Sequence, residues 1–364
     1  MSRGHTLPTV LIMAGGTGGH VFPGLAVAQV LRERGYDVVW LGTRTGLEAR
    51  LVPEAGLPIE WLDVAGLRGK GLGSLLTAPL MLLRALGQAA RIVRNVRPGL
   101  AIGLGGFVSG PGGLVAWLLN VPLVVHEQNA VAGTTNRILA RFAKVVFEAF
   151  PNSFGSGVAA RQVGNPVRRD IAAIAAPGER VAGRTGCPRV LVIGGSQGAR
   201  ALNDAVPQAL ALLPQQRRPD IRHQSGTSLF EATRGAYAAA EVTADIAPFI
   251  SDMAAAYAWA DLVICRSGAL TVSELAAAGV GSILVPFPHA VDDHQTANAA
   301  FLVEAGAAVL MPQETLSAQS LAECLGGLLS NRWRLEVMAE AARSVAHIDA
   351  AERIVDEGLR HVRV

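Results

Sequence analysis

Short continuous apolar runs alternate along the chain with longer segments in which apolar residues recur at helical spacing. In the first half this pattern predicts strands at Thr9–Ala14 and Asp37–Leu41, a helix over Gly24–Arg34 between them, and a loop with a short helix over residues 44–63. Three more strands, separated by helices, are predicted at Leu100–Leu104, Leu123–His126 and Lys144–Phe147. Continuous apolar strands are buried on both faces, as in a parallel sheet covered by helices.

Residues 80–96 have the spacing of an amphipathic helix. One face carries Arg84, Gln88, Arg91 and Asn95, and the opposite face carries Leu82, Leu86, Ala89, Val93 and Val96. The sequence therefore predicts a helix that covers the first sheet with its apolar face and exposes basic residues on the other.

The pattern breaks off and then restarts in the second half. Residues 151–188 are rich in Ser, Gly, Arg and Pro, which predicts an interdomain linker. A strand at Arg189–Ile193 and a helix from Gly198 to about Leu213 follow. Further strands are predicted at Leu262–Cys265 and Gly281–Val285, and helices at 271–279, 293–305, 332–346 and 350–362. Both halves open alike, with VLIMAGGTGGH and VLVIGGSQGAR, so we expect an α/β protein of two Rossmann-like domains with ligands at the carboxyl ends of the strands.

The composition of the chain argues against some classes of function. Hydrophobic residues make up 50% of the 364 residues and aromatic residues only 5%, with a net charge of +3, which argues against nucleic-acid binding. Between Val64 and His126 there is no acidic residue, whereas six basic residues occur at Arg68, Lys70, Arg84, Arg91, Arg94 and Arg97. Such a block fits an anionic membrane surface or a pyrophosphate ligand, and a solvated helix face is the alternative.

Neither the cysteines nor the apolar segments indicate export or a membrane span. Cys187, Cys265 and Cys324 are widely spaced, and we expect reduced core thiols. The apolar run Val10–Ala14 is too short for a signal peptide. The uncharged segment Ala101–Val125 contains six glycines and two prolines, which favours strand, loop, helix and strand. Any membrane attachment is therefore expected to be peripheral.

The first glycine motif covers Gly15–Gly19 and is followed by His20. Glycines between a strand and a helix let a phosphate approach backbone N–H groups and the positive helix end. The dinucleotide fingerprint fails because its third glycine would fall at Val21, although an NADP site using Arg44 stays open. His20 is a candidate proton acceptor for a sugar hydroxyl, and a capping or packing role is the alternative.

Four further segments carry candidate chemistry. Gly103–Gly113 lies in the basic block and predicts either a second phosphate site or a tight turn, and Gly194–Arg200 carries Ser196 for a phosphate but lacks a Walker signature. Glu274 is expected in or just beyond the first turn of a helix, where it would accept ribose hydroxyls or stabilise the helix dipole from the surface. The segment 292–295 reads DDHQ, which favours helix capping over a metal site.

These motifs together resemble the MurG family of bacterial glycosyltransferases. The matching segments are GGTGGHVFPGLAVA (15–28), GGFVSGPGG (105–113), HEQNAVAGTTNR (126–137), GNPVR (164–168), GGSQGAR (194–200), RSGALTVSELAAAG (266–279) and HQTANA (294–299). The resemblance implies the GT-B fold, with two Rossmann-like parallel-sheet domains facing a central cleft. It also implies an acceptor and membrane-associating domain over 1–160, a UDP-GlcNAc domain over 161–345, and a C-terminal helix at 346–364 that packs back toward the first domain.

The resemblance also implies the reaction. An inverting transfer moves GlcNAc from UDP-GlcNAc to the C4 hydroxyl of MurNAc in undecaprenyl-pyrophosphoryl-MurNAc-pentapeptide. His20 is the candidate base, and Glu127 is the second candidate or a residue that orients the acceptor. The donor site implied by the family comprises Thr17, Gly18, Gly19, Asn129, Arg168, Ser196, Ile250, Ala269, Leu270, Thr271, Val272, Ser273, Glu274 and Gln295. The acceptor site comprises Gly105, Gly106 and Ser109.

The resemblance also has implications for cofactors and partners, and the sequence differs from the family pattern at one position. We expect no cofactor and no metal, since no DxD motif is present, and we expect attachment to an anionic membrane at the cytoplasmic face of the inner membrane. Association with other proteins of wall synthesis is also expected, and nucleic acid is not. Phe107 stands where many relatives are expected to carry Tyr. The rival interpretations are another glycosyltransferase or a UDP-sugar epimerase of the same fold, a nicotinamide oxidoreductase, and a non-catalytic scaffold.

Overall fold

The computed structural model of this chain describes residues 7–64, 72–195, 198–290 and 293–363, with side chains in its third helix described from Pro79 onward. The chain divides into two compact units, residues 1–168 with 348–364, and residues 169–347. Each unit is built around its own parallel sheet.

In the first unit the described residues form a seven-stranded sheet in the order β3-β2-β1-β4-β5-β6-β7. Its strands are β1 Val10–Met13, β2 Val38–Gly42, β3 Ile59–Trp61, β4 Leu100–Gly103, β5 Leu123–Glu127, β6 Val145–Glu148 and β7 Arg161–Gln162. The helices between them are α1 Gly18–Glu33, α2 Glu48–Glu54, α3 Leu72–Val96, α4 Ser109–Leu118 and α5 Thr134–Leu139. All residues of β1 and β4 are buried, as expected for strands with helices on both faces.

In the second unit the described residues form a six-stranded sheet in the order β10-β9-β8-β11-β12-β13. The strands are β8 Arg189–Ile193, β9 Asp220–Gln224, β10 Asp245–Ala247, β11 Leu262–Cys265, β12 Gly281–Leu284 and β13 Ala308–Leu310. The helices are α6 Arg169–Ala172, α7 Pro177–Arg180, α8 Arg200–Ala211, α9 Phe230–Ala239, α10 Met253–Trp259, α11 Ala269–Ala278, α12 His294–Glu304, α13 Ala318–Leu329 and α14 Arg332–Ser344.

The last helix, α15 (Ala350–Leu359), returns to the first unit. Ile354 and Val355 are fully buried in the core cluster that also holds Val10 and Leu100. An ion pair joins Arg161 to Glu357 at 2.7 Å. The final segment of the chain is thus part of the first unit's core.

Both sheets reverse their strand order in the middle. In the first sheet, β1 pairs with β2 on one side and with β4 on the other, and in the second sheet β8 lies in the same way between β9 and β11. In each unit, the loops that follow these central strands therefore lie at the carboxyl ends of the strands, beside the switch point of that unit's own sheet. Crevices at such switch points are where open parallel sheets bind ligands.

Several details differ from the sequence expectations. Helix α1 begins at Gly18 rather than Gly24, so the first glycine motif runs directly into the helix. Residues 44–63 contain a strand, β3, besides the short helix, and the expected linker contains β7, α6 and α7. Cys187 is exposed rather than a core thiol, whereas Cys265 is buried.

The amphipathic face of α3 was only partly predicted. Ala85, Ala89, Ile92 and Val93 are buried, but Leu82 is 52% exposed. The helix has 25 residues and is about 37 Å long, far longer than strands of four or five residues, and Leu80, Leu82 and Leu83 near its middle are exposed. No helix in the described part of the chain has the length and apolar character needed to cross a bilayer.

Candidate active site

Two glycine loops meet at the switch point of the first sheet. The backbone N–H of Leu104 donates to the carbonyl of Met13 at 2.9 Å, which joins the ends of β4 and β1. Gly106 has φ +81°, and a Cβ there would lie 2.3 Å from the carbonyl oxygen of Gly15. A side chain at position 106 would therefore force the two loops apart.

The hydroxyl of Ser109 forms hydrogen bonds within the contact between the two loops. Ser109 is fully buried, and its Oγ accepts from the N–H of Gly105 at 3.1 Å and lies 2.8 Å from the carbonyl oxygens of Met13 and Gly105. Ser109 therefore fixes the shape of the second loop, and its hydroxyl faces the protein interior rather than a ligand.

The remaining donors of the first loop lie at the start of α1. Thr17 is exposed, and Gly18 and Gly19 are half-buried at the amino end of the helix. The N–H of Gly16 is already occupied, since it donates to the fully buried carboxylate of Glu48 at 2.8 Å. Glu48 also accepts from the N–H and the hydroxyl of Thr43 at 2.9 and 2.8 Å. Sequence reasoning missed Glu48, because nothing local distinguishes it from a surface acid.

His20 lies in the first turn of α1 and faces the second loop. A Cβ at Gly105, which has φ +100°, would lie 2.8 Å from Cε1 of His20, so the glycine makes room for the ring. The Nδ1 of His20 lies 2.9 Å from Oε1 of Gln128, just after β5. The ring is half-buried, as a proton acceptor that contacts both protein and ligand must be.

Glu127 ends β5 and organises the loop that follows it. Its Oε1 accepts from the N–H and Nδ2 of Asn129 at 3.0 and 3.2 Å, and its Oε2 accepts from the N–H of Gly133 and from Nδ2 of Asn136 at 3.1 and 2.9 Å. The side chain is 2% exposed. With both oxygens engaged by protein donors, Glu127 is better placed to orient the loop than to accept a substrate proton.

Arg168 is the last residue of the first unit, and it is half-buried with its guanidinium carbon 5.9 Å from the ring centroid of Phe22. Arg44, considered above for a 2′-phosphate, instead lies 5.0 Å from the ring centroid of Trp61. Cationic groups therefore stack on aromatic rings at two points of the first unit.

In the second unit, the loop after β8 is held by a buried polar network. A Cβ at Gly198, which has φ +78°, would lie 2.1 Å from the carbonyl oxygen of Ser225. That carbonyl accepts from Nδ2 of Asn203 at 2.9 Å, and His223 joins Asn203 to the hydroxyl of Tyr237 at 3.0 and 2.9 Å. Burial lowers the pKa of His223 to about 3 and raises that of Tyr237, so both are neutral. The predicted phosphate ligand in this loop, Ser196, lies outside the described residues.

Helix α11 begins directly after β11 at the second switch point. Gly268 precedes it as the N-cap; Leu270 and Thr271 are half-buried, whereas Ala269 and Val272 are buried. Val272 is fully buried in the core, and the Ser273 hydroxyl donates to the carbonyl of Ala269 at 3.0 Å. Of the predicted run 269–273, Leu270, Thr271 and Ser273 are the residues that are partly exposed.

Glu274 lies in the second turn of α11, just beyond the first turn as expected, and it is only 8% exposed, so it is not a surface carboxylate. Its Oε2 accepts from the hydroxyl of Tyr257 at 3.1 Å. Burial, together with the nearby charge of Glu274, raises the pKa of Cys265 to about 12. The hydroxyl of Tyr257 thus helps to hold the carboxylate in place, one turn beyond the start of α11.

Ile250 and Gln295 are two further predicted donor residues of the second unit. Ile250 is half-buried and follows Phe249, which is 58% exposed. Gln295 is in the first turn of α12, where its Oε1 accepts from the N–H of Phe287 at 2.9 Å. Asp293 precedes α12 but accepts from the Thr296 hydroxyl rather than capping a backbone N–H. Over the described ranges, no three His, Cys, Asp or Glu side chains are grouped as metal ligands.

Family models match both units. Residues 10–148 match the glycosyltransferase family 28 N-terminal domain, and residues 189–354 match the glycosyltransferase family 28 C-terminal domain. The crystal structure of Acinetobacter baumannii MurG superposes with a TM-score of 0.86 and is 44% identical, covering 97% of this chain and 100% of that one.

Two relatives are similar over almost their full length. Proteins of Marinobacter nauticus and Nitrosococcus oceani are each 57% identical to this chain, covering 95% and 96% of it and 95% and 98% of their own lengths. Both are named UDP-N-acetylglucosamine--N-acetylmuramyl-(pentapeptide) pyrophosphoryl-undecaprenol N-acetylglucosamine transferase. The resemblance and the fold expected from the motifs are therefore confirmed, and the chain belongs to the MurG family within glycosyltransferase family 28.

Proposed function

We propose that this enzyme transfers GlcNAc from UDP-GlcNAc to the C4 hydroxyl of MurNAc in undecaprenyl-pyrophosphoryl-MurNAc-pentapeptide, the step that converts lipid I to lipid II. The observation that carries this function is the 57% identity, over 95% of the chain, to a relative named for that donor and acceptor. The ligand crevices at the switch points of two parallel sheets support it, because a transferase must bind two phosphate-bearing substrates.

Most of the donor site is assigned to the second unit. The buried carboxylate of Glu274 would accept hydrogen bonds from the ribose hydroxyls, and the Ile250 backbone would contact the uracil. The amino end of α11 would face the diphosphate, because unpaired N–H groups and the helix dipole favour an anion there. The other proposed donor contacts are Ser196, Arg168, Gln295, Asn129, Thr17, Gly18 and Gly19.

The first unit is assigned the acceptor and the proton transfer. The Nε2 of His20 would take the proton of the C4 hydroxyl as the oxygen attacks the anomeric carbon of the GlcNAc. The bond to the UDP oxygen breaks as the new β-1,4 bond forms, so the configuration inverts and UDP leaves as an anion. Helix amino ends and Arg168 would stabilise that charge. Glu127, Gly105, Gly106 and Ser109 would shape the loops around the acceptor.

A transfer assay tests this function. Purified protein is incubated with radiolabelled UDP-GlcNAc or UDP-glucose and a lipid-linked MurNAc-pentapeptide acceptor, and the coupling constant of the new anomeric proton is measured by NMR. We expect a β-linked disaccharide from UDP-GlcNAc at a rate at least tenfold above that from UDP-glucose. Epimerised UDP-sugar without transfer would favour the epimerase alternative instead.

We also propose that the first unit docks peripherally on the anionic inner leaflet of the cytoplasmic membrane, where the acceptor's lipid carrier resides. Leu80 and Leu83 of α3 are 61% and 66% exposed, and α4, which packs against α3, exposes Trp117 and Leu118 at 42% and 59%. Arg84, Arg91 and Arg94 are exposed on the same α3 helix. Apolar side chains beside cations suit an anionic interface.

Sedimentation with anionic and zwitterionic vesicles tests the docking. Replacing Arg84, Arg91 and Arg94 by Gln should weaken binding to anionic vesicles roughly 10²-fold, since each cation near such a surface contributes about 1 kcal/mol. The double change L80S/L83S should weaken binding further, whereas Leu212→Ser, which alters a residue 55% exposed in the second unit, should not. Binding that is insensitive to both salt and these changes would contradict the proposal.

A further inference from the structure

A continuous hydrogen-bonded chain runs from His20 into the interior of the first unit. The Nδ1 of His20 lies 2.9 Å from Oε1 of Gln128, and Nε2 of Gln128 lies 3.0 Å from Nδ1 of His126. The Nε2 of His126 lies 2.9 Å from the carbonyl oxygen of Gly164. Gln128 and His126 are 1% and 0% exposed, so water does not compete for these contacts.

The His126 end of this hydrogen-bonded chain determines which ring nitrogens carry a proton. A carbonyl oxygen only accepts, so Nε2 of His126 must carry the hydrogen that it donates to Gly164. Burial lowers the pKa of His126 to about 4, so the ring is neutral and has one N–H at neutral pH. Its Nδ1 is consequently a lone pair that requires a donor, and only the amide nitrogen of Gln128 can supply one.

The amide of Gln128 is therefore held in one orientation. Its nitrogen also donates to the carbonyl oxygen of His126 at 3.2 Å, which provides a second, independent reason for that orientation. The backbone oxygen of Gln128 accepts from Nδ2 of Asn165 at 3.0 Å, which secures the backbone. The Oε1 of Gln128 must then face His20, and an amide oxygen can only accept a hydrogen bond.

We propose that Gln128 and His126 are positioning residues that hold His20 in its Nδ1–H tautomer, with the lone pair on Nε2. This inference rests on the proposed function, because it concerns the base of that reaction. Free histidine prefers the opposite tautomer, in which Nε2 carries the proton and cannot act as the base. Orientation of a catalytic histidine through its other ring nitrogen is a general device of acid–base catalysis, supplied here by a neutral amide.

The packing around His20 agrees with a fixed ring. Gly105 lies against the imidazole, with a hypothetical Cβ 2.8 Å from Cε1 and 2.9 Å from Nδ1, so this glycine leaves room for the ring in its present position. Rotation of the ring by 180° about its axis would move Nδ1 away from Gln128. The contact with the Gln128 amide therefore favours one ring orientation and one tautomer, and it leaves Nε2 to the substrate.

The tautomer can be read without substrate from the 15N chemical shifts of both ring nitrogens, using protein labelled at histidine and assigned with His20→Gln. The wild type should show a protonated Nδ1 and an unprotonated Nε2 for His20. Gln128→Met, which retains length and removes the amide, should give a mixture of tautomers. His126→Asn is the conservative control, since its amide oxygen can replace Nδ1 as acceptor, and it should retain the wild-type pattern.

Kinetics provide the second readout. Gln128→Met should lower kcat about 10²-fold with KM for UDP-GlcNAc changed less than threefold, because the wrong tautomer cannot accept the proton. His126→Asn, which keeps an acceptor for the Gln128 amide, should lower kcat less than Gln128→Met does. A protonated Nε2 in the wild type, or a Gln128→Met protein with wild-type shifts, would overturn the inference, and the wild-type spectrum decides even if that variant does not fold. Absence of GlcNAc transfer with the expected spectrum would instead contradict the proposed function.

Discussion

The buried carboxylates of this protein differ in their hydrogen-bond donors. Glu48 accepts backbone N–H groups of Gly16 and Thr43, and Glu127 accepts those of Asn129 and Gly133, so both brace loops of the first unit. Glu274 lies instead within a helix of the second unit, with the hydroxyl of Tyr257 as a side-chain donor. A carboxylate held beside a ligand crevice can exchange hydrogen bonds with hydroxyl groups of a substrate.

At the residue scale we predict that Glu274→Gln mainly impairs donor binding. An amide accepts with one atom only, so one of two ribose hydroxyls would lose its acceptor, which costs about 1–3 kcal/mol. KM for UDP-GlcNAc should rise roughly 10- to 100-fold, with kcat within about threefold. Tyr257→Phe is the matched control, because it removes one donor to the carboxylate and should change KM by less than tenfold. An unchanged KM in Glu274→Gln would remove the ribose assignment.

Single residues also mark the limit of what the sequence predicts. His20 and Glu274 could be singled out because each follows a glycine motif after a strand. Glu48, Gln128 and His126 received no role of their own, because their partners lie 32, 108 and 38 residues away in the chain. Such contacts arise from the tertiary fold, and no local spacing indicates them.

At the element scale, strands with continuous apolar sequence were predicted almost to the residue, as at β8 and β11. The missed strands include β3, β10 and β13, which are three residues long and lie at the edges of the sheets. β3 and β10 carry an acidic residue and are only partly buried, so their sequences resemble loops. Position in the sheet, rather than local pattern, makes these segments strands.

The contact between the two glycine loops gives a prediction at this scale. Gly106→Ala places a Cβ 2.3 Å from the Gly15 carbonyl oxygen at φ +81°, so we expect about 2 kcal/mol or more of lost stability. Gly87→Ala is the control, since nothing lies within 4 Å of its Cβ on α3, and there stability should rise by about 0.5–1 kcal/mol. Urea unfolding measures both, and equal midpoints for the two variants would contradict the close packing.

At the scale of the whole molecule, each unit has its own sheet, its own core and its own buried neutral histidine. His126 lies in the first unit and His223 in the second, and burial lowers their pKa values to about 4 and about 3. Sequence repetition predicted two similar halves. The return of α15 to the first unit was expected only from the family resemblance, and it rests on the packing of Ile354 and Val355 in that unit's core.

Because these histidines are buried and neutral, we expect the folded protein to lose stability in acid. An unfolded histidine binds a proton below about pH 6.5, whereas buried His126 does so only below about pH 4, so stability falls as pH decreases between these values. At about 1.4 kcal/mol per pH unit, the first unit should lose roughly 3 kcal/mol over this window. His126→Asn should flatten that slope in thermal unfolding monitored from pH 7 to 4. Parallel slopes for wild type and variant would mean that folding does not lower the pKa of His126.

We propose that this family 28 enzyme transfers GlcNAc with His20 as the base. A single-turnover experiment with saturating radiolabelled UDP-GlcNAc and lipid-linked MurNAc-pentapeptide compares the wild type with His20→Ala. We predict transfer by the wild type and a rate about 10²- to 10⁴-fold lower in the variant, with donor affinity unchanged. A variant rate within threefold of the wild type would show that another group takes the proton, and the His20 mechanism would be wrong.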